Sequence, residues 1–298
     1  MSQTIGFLGA GAMGAPMAAN LIAAGFPVRL WNRSPEKARA VDRATVVATP
    51  KDAAKDAGIV ISMLADDASV NAVVQGPDGL LASMARGSIH VSMSTLSVAG
   101  VKRLAAQHGE RGIRFLAAPV FGRPEAARAK MLFIVPGGAP QDIAALTPLF
   151  NAMGQGIFPF ATPEQAALAK LAGNFLIGAT IESVGEALAL AEKGGLDPEA
   201  MLNLLTGTIF GSPVVKNYGG RIARTEFTPA GFALPLAQKD FRLIREAARD
   251  AHVSLPVADL VADRLAQAIQ AGRTDHDFAG FATVIREEAG LPVARAKK

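Results

Sequence analysis

The chain has 298 residues, half of them hydrophobic and 19% charged, a composition typical of a globular protein of about two domains. Its formal net charge is +4 and it contains no cysteine, so disulfides, cysteine metal sites and thiol catalysis are excluded. The charges are scattered, and we interpret the basic end Arg295–Lys298 as a solvated tail, not as a nucleic-acid or membrane anchor. No basic region precedes the first apolar run, which glycines interrupt from Gly6, so we expect no signal peptide and a cytoplasmic protein.

Strands and helices alternate in the first half of the chain. Short apolar runs predict strands, and helical patterns lie between most of them. These runs are Thr4–Leu8, Pro27–Trp31, Ile59–Leu64, Ser88–Ser92, Ile113–Leu116 and Met131–Val135. Such alternation is typical of a parallel sheet, and it ends near residue 160. We therefore predict an α/β domain over residues 1–162.

The second half is predicted to be helical. Thr162 can cap a helix that begins at Pro163, continues to Lys193 and ends at two glycines. This helix is long and apolar, but charged and polar residues interrupt it, so a buried helix that bridges domains or subunits is favoured over a transmembrane one. Further helices are predicted from Asp197-Pro198 and over Leu236–Asp250 and Val257–Ala271. The predicted organisation is an inter-domain helix over residues 163–194 and an all-α domain over residues 195–298.

A glycine-rich loop follows the first predicted strand and opens a helix. In this context Gly9 permits a tight turn, Gly11 lets the backbone approach a pyrophosphate, and Gly14 lets helix and strand pack closely. The pyrophosphate would lie at the helix N-terminus, where N–H groups without helical partners favour negative charge. The pattern thus predicts a Rossmann domain whose cofactor contacts are Gly9, Ala10, Gly11, Ala12, Met13 and Gly14. The alternative is a glycine-rich turn without a ligand.

The end of the second strand indicates which dinucleotide binds. A site for NAD usually carries a carboxylate here to bind the ribose hydroxyls, but this chain has Asn32 followed by Arg33 and Ser34. A guanidinium makes charge-assisted hydrogen bonds to a phosphate, and a hydroxyl adds a donor. We therefore predict NADPH as the cofactor. The alternative is that Arg33 is a surface residue of the turn.

Several segments together resemble the β-hydroxyacid dehydrogenase family, which includes 3-hydroxyisobutyrate dehydrogenase, tartronate semialdehyde reductase and the glyoxylate/succinic semialdehyde reductases. The resemblance covers nearly the whole chain, through Ile5–Gly14, Asn32–Ser34, Leu64–Asp67 and Ser92–Thr95. It implies that Thr95 contacts the nicotinamide. It also implies that the loop with Leu64 and Ala65 lies near the adenosine ribose and the phosphates.

The same resemblance assigns a catalytic group. Lys170 and Asn174, four residues apart on the long predicted helix, match the family's proton donor and its substrate-binding asparagine. Chemistry supports this, because an ammonium can stabilise the negative charge that builds on a carbonyl oxygen during hydride addition and can supply the proton. The alternatives are a lysine that extends from the helix edge to solvent or one paired with an acid, although no acid lies three or four residues away in this helix.

Phe232, Lys239 and Asp240, which lie later in the chain, also match the family. The resemblance implies that Lys239 reaches the cofactor, that Asp240 lies near the substrate as part of the catalytic set, and that Phe232 lines the substrate pocket. Without the resemblance, Lys239 and Asp240 would be an ordinary exposed pair and Phe232 an ordinary core residue.

One segment departs from the family pattern of Asp-Ala-Pro-Val-Ser-Gly-Gly. Here Phe121 replaces a serine that helps to bind the substrate carboxylate, and Arg123 replaces a glycine. Backbone N–H groups of Gly122 and Arg123 can still bind an anion, and the Arg123 guanidinium can clamp a carboxylate. We expect Phe121, Gly122 and Arg123 to contact the substrate, which would be larger and less polar than a small hydroxy acid. The alternative is that Phe121 turns into the core and only reshapes the loop.

The sequence therefore predicts an NADPH-dependent oxidoreductase that reduces an aldehyde or keto acid, or oxidises the hydroxy acid, without a metal. An imine reductase is a second hypothesis, favoured by the apolar Phe121, although related imine reductases usually lack the lysine. A cofactor-bound interaction module without turnover is a third. In the family the long helix contributes to a subunit interface, so we expect a homodimer, with a tetramer as the alternative.

Overall fold

The computed structural model describes residues 3–294 of the chain. Met1, Ser2 and the basic end Arg295–Lys298, which we predicted to be a solvated tail, lie outside the described residues. Contacts between Cα atoms divide the chain into two compact units, residues 1–170 and residues 171–298.

The first unit contains a six-stranded, all-parallel sheet with the strand order β3-β2-β1-β4-β5-β6. A smaller sheet follows, in which β7 is antiparallel to β8 and β9 is parallel to β8. The strands are β1 (Ile5–Leu8), β2 (Val28–Trp31), β3 (Thr45–Val46), β4 (Ile59–Ser62), β5 (Ile89–Ser92), β6 (Arg114–Ala117), β7 (Val120–Phe121), β8 (Leu132–Ile134) and β9 (Gly154–Ile157). The large sheet confirms the predicted Rossmann class.

Helices cover both faces of the large sheet. They are α1 (Gly14–Ala23), α2 (Pro35–Arg39), α3 (Pro50–Ala54), α4 (Asp67–Val74), α5 (Leu80–Ser83), α6 (Val98–Glu110), α7 (Pro124–Arg128) and α8 (Pro140–Met153). Successive residues of β1 enter different cores: Phe7 packs in the cluster that includes α1 and α8, and Leu8 in the cluster that includes α3, α4 and α6. Because both faces of the sheet are covered, its strands are mainly apolar in the sequence and do not alternate between apolar and polar residues.

The described part of the chain beyond residue 162 is helical apart from turns and one isolated bridge. It comprises α9 (Pro163–Lys193), which continues from the first unit into the second, then α10 (Pro198–Gly207), α11 (Pro213–Arg224), α12 (Leu234–Asp250), α13 (Pro256–Gln270), a 3-10 helix (Phe278–Phe281) and α14 (Ala282–Glu288). The start of α9 is capped as predicted, since the Gln165 N–H donates to Thr162 Oγ1 at 3.3 Å. The Gln165 side chain in turn accepts from the Ala161 N–H at 3.1 Å.

By length and composition alone, α9 could cross a membrane, with a mean hydropathy of 1.2 over its most apolar stretch. Half of that stretch is buried inside the protein, which is also the pattern of a core helix. Within the second unit, Glu182 of this helix is buried and forms an ion pair with Arg264 at 3.2 Å. Burial raises the pKa of Glu182, and the neighbouring Arg264 opposes that rise.

Candidate active site

Two glycines of the glycine-rich loop are required by the fold, and a third is not. Gly9 has a φ of +106°, and a Cβ there would lie 2.2 Å from the Met63 carbonyl oxygen. A Cβ on Gly14 would lie 2.0 Å from the Gly9 carbonyl oxygen. At Gly11, by contrast, a Cβ would meet no protein atom within 4 Å. Open space in front of the N-terminus of α1 is what a pyrophosphate needs, so these residues fit a dinucleotide.

The turn after β2 is tied to this loop. Asn32 Oδ1 accepts a hydrogen bond from the Ala10 N–H at 2.8 Å, and Asn32 Nδ2 donates to the Ser34 carbonyl oxygen at 2.9 Å. The Asn32 side chain therefore fixes the position of the loop relative to the turn. Arg33 is exposed at the tip of this turn, and Ser34 is the N-terminal cap residue of α2.

The ends of β4 and β5 lie side by side, because these strands are neighbours in the sheet. The Leu64 N–H donates to Ser94 Oγ at 2.8 Å, and Ser94 is almost fully buried. This bond joins the predicted adenosine loop to the segment that ends at Thr95, which is half-buried. Ala65 is exposed. We did not predict Ser94, whose only sequence signal is its place beside Thr95.

A buried relay of side chains lies behind these strand ends, and we did not predict it. Ser62 Oγ lies 2.9 Å from His90 Nε2, His90 Nδ1 lies 2.9 Å from His108 Nε2, and His108 Nδ1 lies 2.7 Å from the Leu104 carbonyl oxygen. That carbonyl can only accept, so each histidine carries its proton on Nδ1 and Ser62 donates to His90. Burial lowers the pKa of both histidines, that of His90 well below its ordinary value, with its neighbour His108 adding to the shift.

Lys170 and Phe121 are in contact within the first unit. The Lys170 side chain is buried, at 8% exposure, and its Nζ lies 4.1 Å from the centroid of the Phe121 ring. Phe121 is half-buried and packs against the apolar cluster that contains Ala166 and Ala167, the residues one turn before Lys170. The ring therefore rests on the core and also faces an ammonium group.

Of the two residues after Phe121, Gly122 is exposed and Arg123 is half-buried. Gly122 has a φ of +140°, a conformation that favours glycine, and a Cβ there would lie 2.6 Å from a Leu132 methyl group. Arg123 is the N-terminal cap residue of α7, and its Nε lies 3.8 Å from Glu125 Oε2. An ion pair this long, to an exposed carboxylate, is weak.

The second unit brings three of the predicted residues together. Asn174 Nδ2 donates to Asp240 Oδ2 at 2.6 Å, and Lys239 Nζ lies 2.9 Å from Asp240 Oδ1 as an ion pair. Asn174 and Asp240 are buried, so the predicted exposed alternative for Asp240 is wrong. Phe232 is half-buried and packs edge-on against Phe278, with the ring centroids 5.7 Å apart.

Comparison with known proteins places the chain in a family. Residues 4–162 match the family model described as the NAD-binding domain of 6-phosphogluconate dehydrogenase, and residues 165–285 match the one described as the NAD-binding region of NADP-dependent 3-hydroxyisobutyrate dehydrogenase. The chain belongs to the β-hydroxyacid dehydrogenase family. It is therefore an oxidoreductase that uses a nicotinamide cofactor and acts on CH–OH groups or the corresponding carbonyls.

Relatives within this family span nearly all of the chain. The uncharacterized oxidoreductase YfjR of Bacillus subtilis is 40% identical over 95% of this chain and 99% of its own. The NAD-dependent L-serine dehydrogenase of Pseudomonas aeruginosa is 30% identical over 93% of this chain and 95% of its own. The structure of Mycobacterium tuberculosis 3-hydroxyisobutyrate dehydrogenase with L-serine has a TM-score of 0.86 and 29% identity, covering 96% of this chain and all of that one.

No group of three or more histidine or acidic side chains within residues 3–294 is placed to bind a metal ion. The polar residues of the candidate site are instead amide, carboxylate and lysine side chains, together with backbone N–H groups.

Proposed function

We propose that this protein is an NADPH-dependent reductase of aldehydes or keto acids, or in the reverse direction an NADP+-dependent dehydrogenase of the corresponding hydroxy acids, with Lys170 as the proton donor. The observation that carries the proposal is the burial of the Lys170 ammonium on α9, one helical turn before Asn174. Burying a lysine is costly unless the charge has a function or a partner, and this family's chemistry needs a cation at that point.

The proposed reaction adds a hydride and a proton across a carbonyl group. A bound NADPH supplies the hydride from its nicotinamide ring. Lys170 stabilises the negative charge that builds on the carbonyl oxygen and then transfers a proton to it, after which solvent reprotonates the amine. In the same proposal the Asn174 amide binds the substrate, and Asp240 orients that amide through their 2.6 Å hydrogen bond. Lys239 holds Asp240 and extends to the cofactor.

The proposed preference for NADPH rests on the turn Asn32–Ser34. It carries no carboxylate to repel a 2′-phosphate, and Arg33 is exposed there. Family membership alone does not decide the cofactor, since one relative is named NAD-dependent. We expect Arg33→Ala to reduce kcat/KM for NADPH by roughly 10-fold or more, the loss of about 1.5–3 kcal/mol from a hydrogen bond to a charged group, and to change kcat/KM for NADH little. Equal losses with both cofactors would contradict this assignment.

The proposed substrate has two different ends. One end is anionic, and the other is less polar than a small hydroxy acid. Phe121 replaces a hydroxyl that would bind a carboxylate, and in this proposal the Gly122 and Arg123 N–H groups and the Arg123 guanidinium contact the carboxylate instead. Reduction of glyoxylate or succinic semialdehyde should improve in Phe121→Ser when the two proteins are compared on the acidic plateau of their kcat–pH profiles, where protonation of Lys170 does not limit the rate. If the wild-type protein reduces these acids as well as the variant does, and no apolar substrate is better, the substrate proposal fails.

We also propose a homodimer formed through the helical unit. Leucines on α9 and α10 are highly exposed within one copy of that unit: Leu176 at 62%, Leu190 at 77% and Leu204 at 59%. A second copy that covered them would remove this apolar surface from water. Light scattering of the wild type and of Leu190→Asp tests it, and a monomeric wild type would contradict it. The cytoplasmic location stays a prediction.

The first test of the function is NADPH oxidation with a panel of aldehydes, keto acids and cyclic imines. Wild type is compared with Lys170→Ala and with Lys193→Ala, which removes an exposed lysine at the far end of the same helix. We expect carbonyl reduction that is lost only in Lys170→Ala. Imine reduction that survives in Lys170→Ala would instead assign the chain to the imine reductases.

A further inference from the structure

Phe121 meets Lys170 in a geometry that suits a cation–π interaction. Nζ lies 4.1 Å from the ring centroid, inside the roughly 6 Å over which an aromatic face attracts an ammonium group. The lysine is buried, and burial by itself disfavours its charged form. Because the ring face carries partial negative charge, its attraction acts in the opposite direction and favours the charged form.

The fold holds the ring in this position from both sides. Its backbone pairs with β8 in the register Val120 with Ile134 and Phe121 with Phe133. Its side chain packs against the cluster that contains Ala166 and Ala167. A ring held by a strand and a core cluster loses little conformational freedom when the ammonium group approaches, so its orientation is set by the fold.

We propose that Phe121 is a positioning residue that holds the Lys170 ammonium against its ring and keeps it protonated in the buried site. This inference rests on the proposed function, since it gives Phe121 a role in the reaction only if Lys170 is the proton donor. It differs from both sequence-based expectations for Phe121. A ring that only fills the core or only shapes the substrate pocket acts on Lys170 through desolvation alone, an effect that any apolar side chain of similar size reproduces.

Replacing the Phe121 ring with groups of similar size distinguishes a cation–π role from a purely steric role. Phe121→Leu keeps an apolar side chain and burial but removes the π face. Phe121→Tyr keeps the π face. Tetrafluorophenylalanine at position 121, introduced by nonsense suppression, keeps the shape and weakens the negative potential of the face. Phe158→Leu, at an exposed phenylalanine of the segment after β9, controls for loss of an aromatic ring elsewhere in the first unit.

The charge of Lys170 can be read without catalysis. Trace acetic anhydride acetylates only the neutral amine, so the yield of the acetylated Lys170 peptide against pH has a midpoint where half of the amine is protonated. Mass spectrometry gives this curve for each variant, with the other lysines as internal references. We expect the midpoint to fall by roughly one pH unit in Phe121→Leu and by less with tetrafluorophenylalanine. It should stay in place in Phe121→Tyr and Phe158→Leu.

The alkaline limb of the kcat–pH profile for carbonyl reduction is then measured on the same proteins. A shift of this limb that parallels the labelling midpoint supports both the positioning role and Lys170 as proton donor. A labelling midpoint that moves while the limb stays supports the ring–ammonium contact and contradicts Lys170 as proton donor. A midpoint that is the same in Phe121→Leu, the tetrafluoro variant and wild type overturns the inference, whatever the kinetics show.

Discussion

The buried relay of His90 and His108 should make the first unit sensitive to acid. Folding lowers the pKa of both side chains, so between the unfolded and folded values the unfolded chain binds more protons. The contribution of the two histidines to the unfolding free energy is therefore fully present above about pH 6.5, the ordinary histidine pKa, and is lost as the pH falls below it. Each histidine contributes a slope of up to about 1.4 kcal/mol per pH unit, so together they can remove up to about 4 kcal/mol by pH 5. That is a large share of a typical unfolding free energy of about 5–15 kcal/mol.

The relay also explains why a proton has no favourable place to bind. His108 Nε2 accepts from His90 Nδ1 at 2.9 Å, so a proton added to His108 would set two donors against each other. Such an arrangement breaks the hydrogen bond and adds a buried charge, and both effects favour unfolding.

Urea unfolding monitored by tryptophan fluorescence can measure this loss. The only tryptophan, Trp31, lies on β2 of the same sheet, and its Nε1 donates to the Ala48 carbonyl oxygen at 3.1 Å, so it reports on the first unit. The unfolding free energy of wild type at pH 7.5, 6.5, 5.5 and 5.0 is compared with that of the double variant His90→Gln/His108→Gln. Carboxylates titrate in both proteins, so the difference isolates the relay. Parallel pH dependence in the two proteins would refute the reasoning.

Two further predictions concern the glycine-rich loop and the second unit. Gly11→Ala should keep its thermal stability but lose NADPH affinity in a fluorescence titration. Gly14→Ala should lose at least about 2 kcal/mol of unfolding free energy, because its new Cβ meets the backbone. A Gly11→Ala variant that is less stable than Gly14→Ala would contradict the assigned roles. Arg286 is only 2% exposed and forms an ion pair with Glu192 at 2.6 Å. Glu192→Gln should lower the free energy of unfolding in urea by about 3 kcal/mol, because it leaves the buried Arg286 charge without this carboxylate. A loss below about 1 kcal/mol would show that the pair is well solvated.

The strands that the sequence predicts are those with mainly apolar, largely buried runs. β1, β2, β4, β5, β6 and β8 all lie within a residue or two of their predicted positions. The two-residue strands β3 and β7 are too short to show a pattern, and β9 (Gly154–Ile157) contains two glycines, which indicate a turn and not a strand. These strands form by pairing with neighbours that lie far away in the chain, and a local sequence pattern does not contain that information.

Helix α11 (Pro213–Arg224) was not predicted, and its glycines explain why. Adjacent glycines inside a helix reduce its propensity, so Gly219 and Gly220 argue against helix in the sequence. The structure supplies the reason for one of them, since a Cβ on Gly219 would lie 2.7 Å from Leu202 Cδ1 of α10. Close packing of two helices here outweighs the local cost of the glycine.

The candidate site shows the same division between local and distant signals. The spacing of Lys170 and Asn174 could be interpreted from the sequence because helix geometry relates positions four apart. The contact between Phe121 and Lys170 joins residues far apart in the chain, so no local pattern reveals it. The relay through His90 was hidden for the same reason, although a histidine inside the apolar strand β5 is a signal that a buried polar partner exists.

Chemical rescue of Lys170→Ala tests the central claim most directly. If Lys170 donates the proton, small primary amines that enter the space left by its side chain should restore NADPH-dependent carbonyl reduction, with a rescue rate that varies with the pKa of the amine. NADPH binding, followed by fluorescence, should be unchanged in the variant, so that the loss is one of turnover. We expect rescue by protonated methylamine and ethylamine, and none in wild type or in Lys193→Ala. A Lys170→Ala variant that binds NADPH and reduces the substrate at the wild-type rate without added amine would contradict the claim.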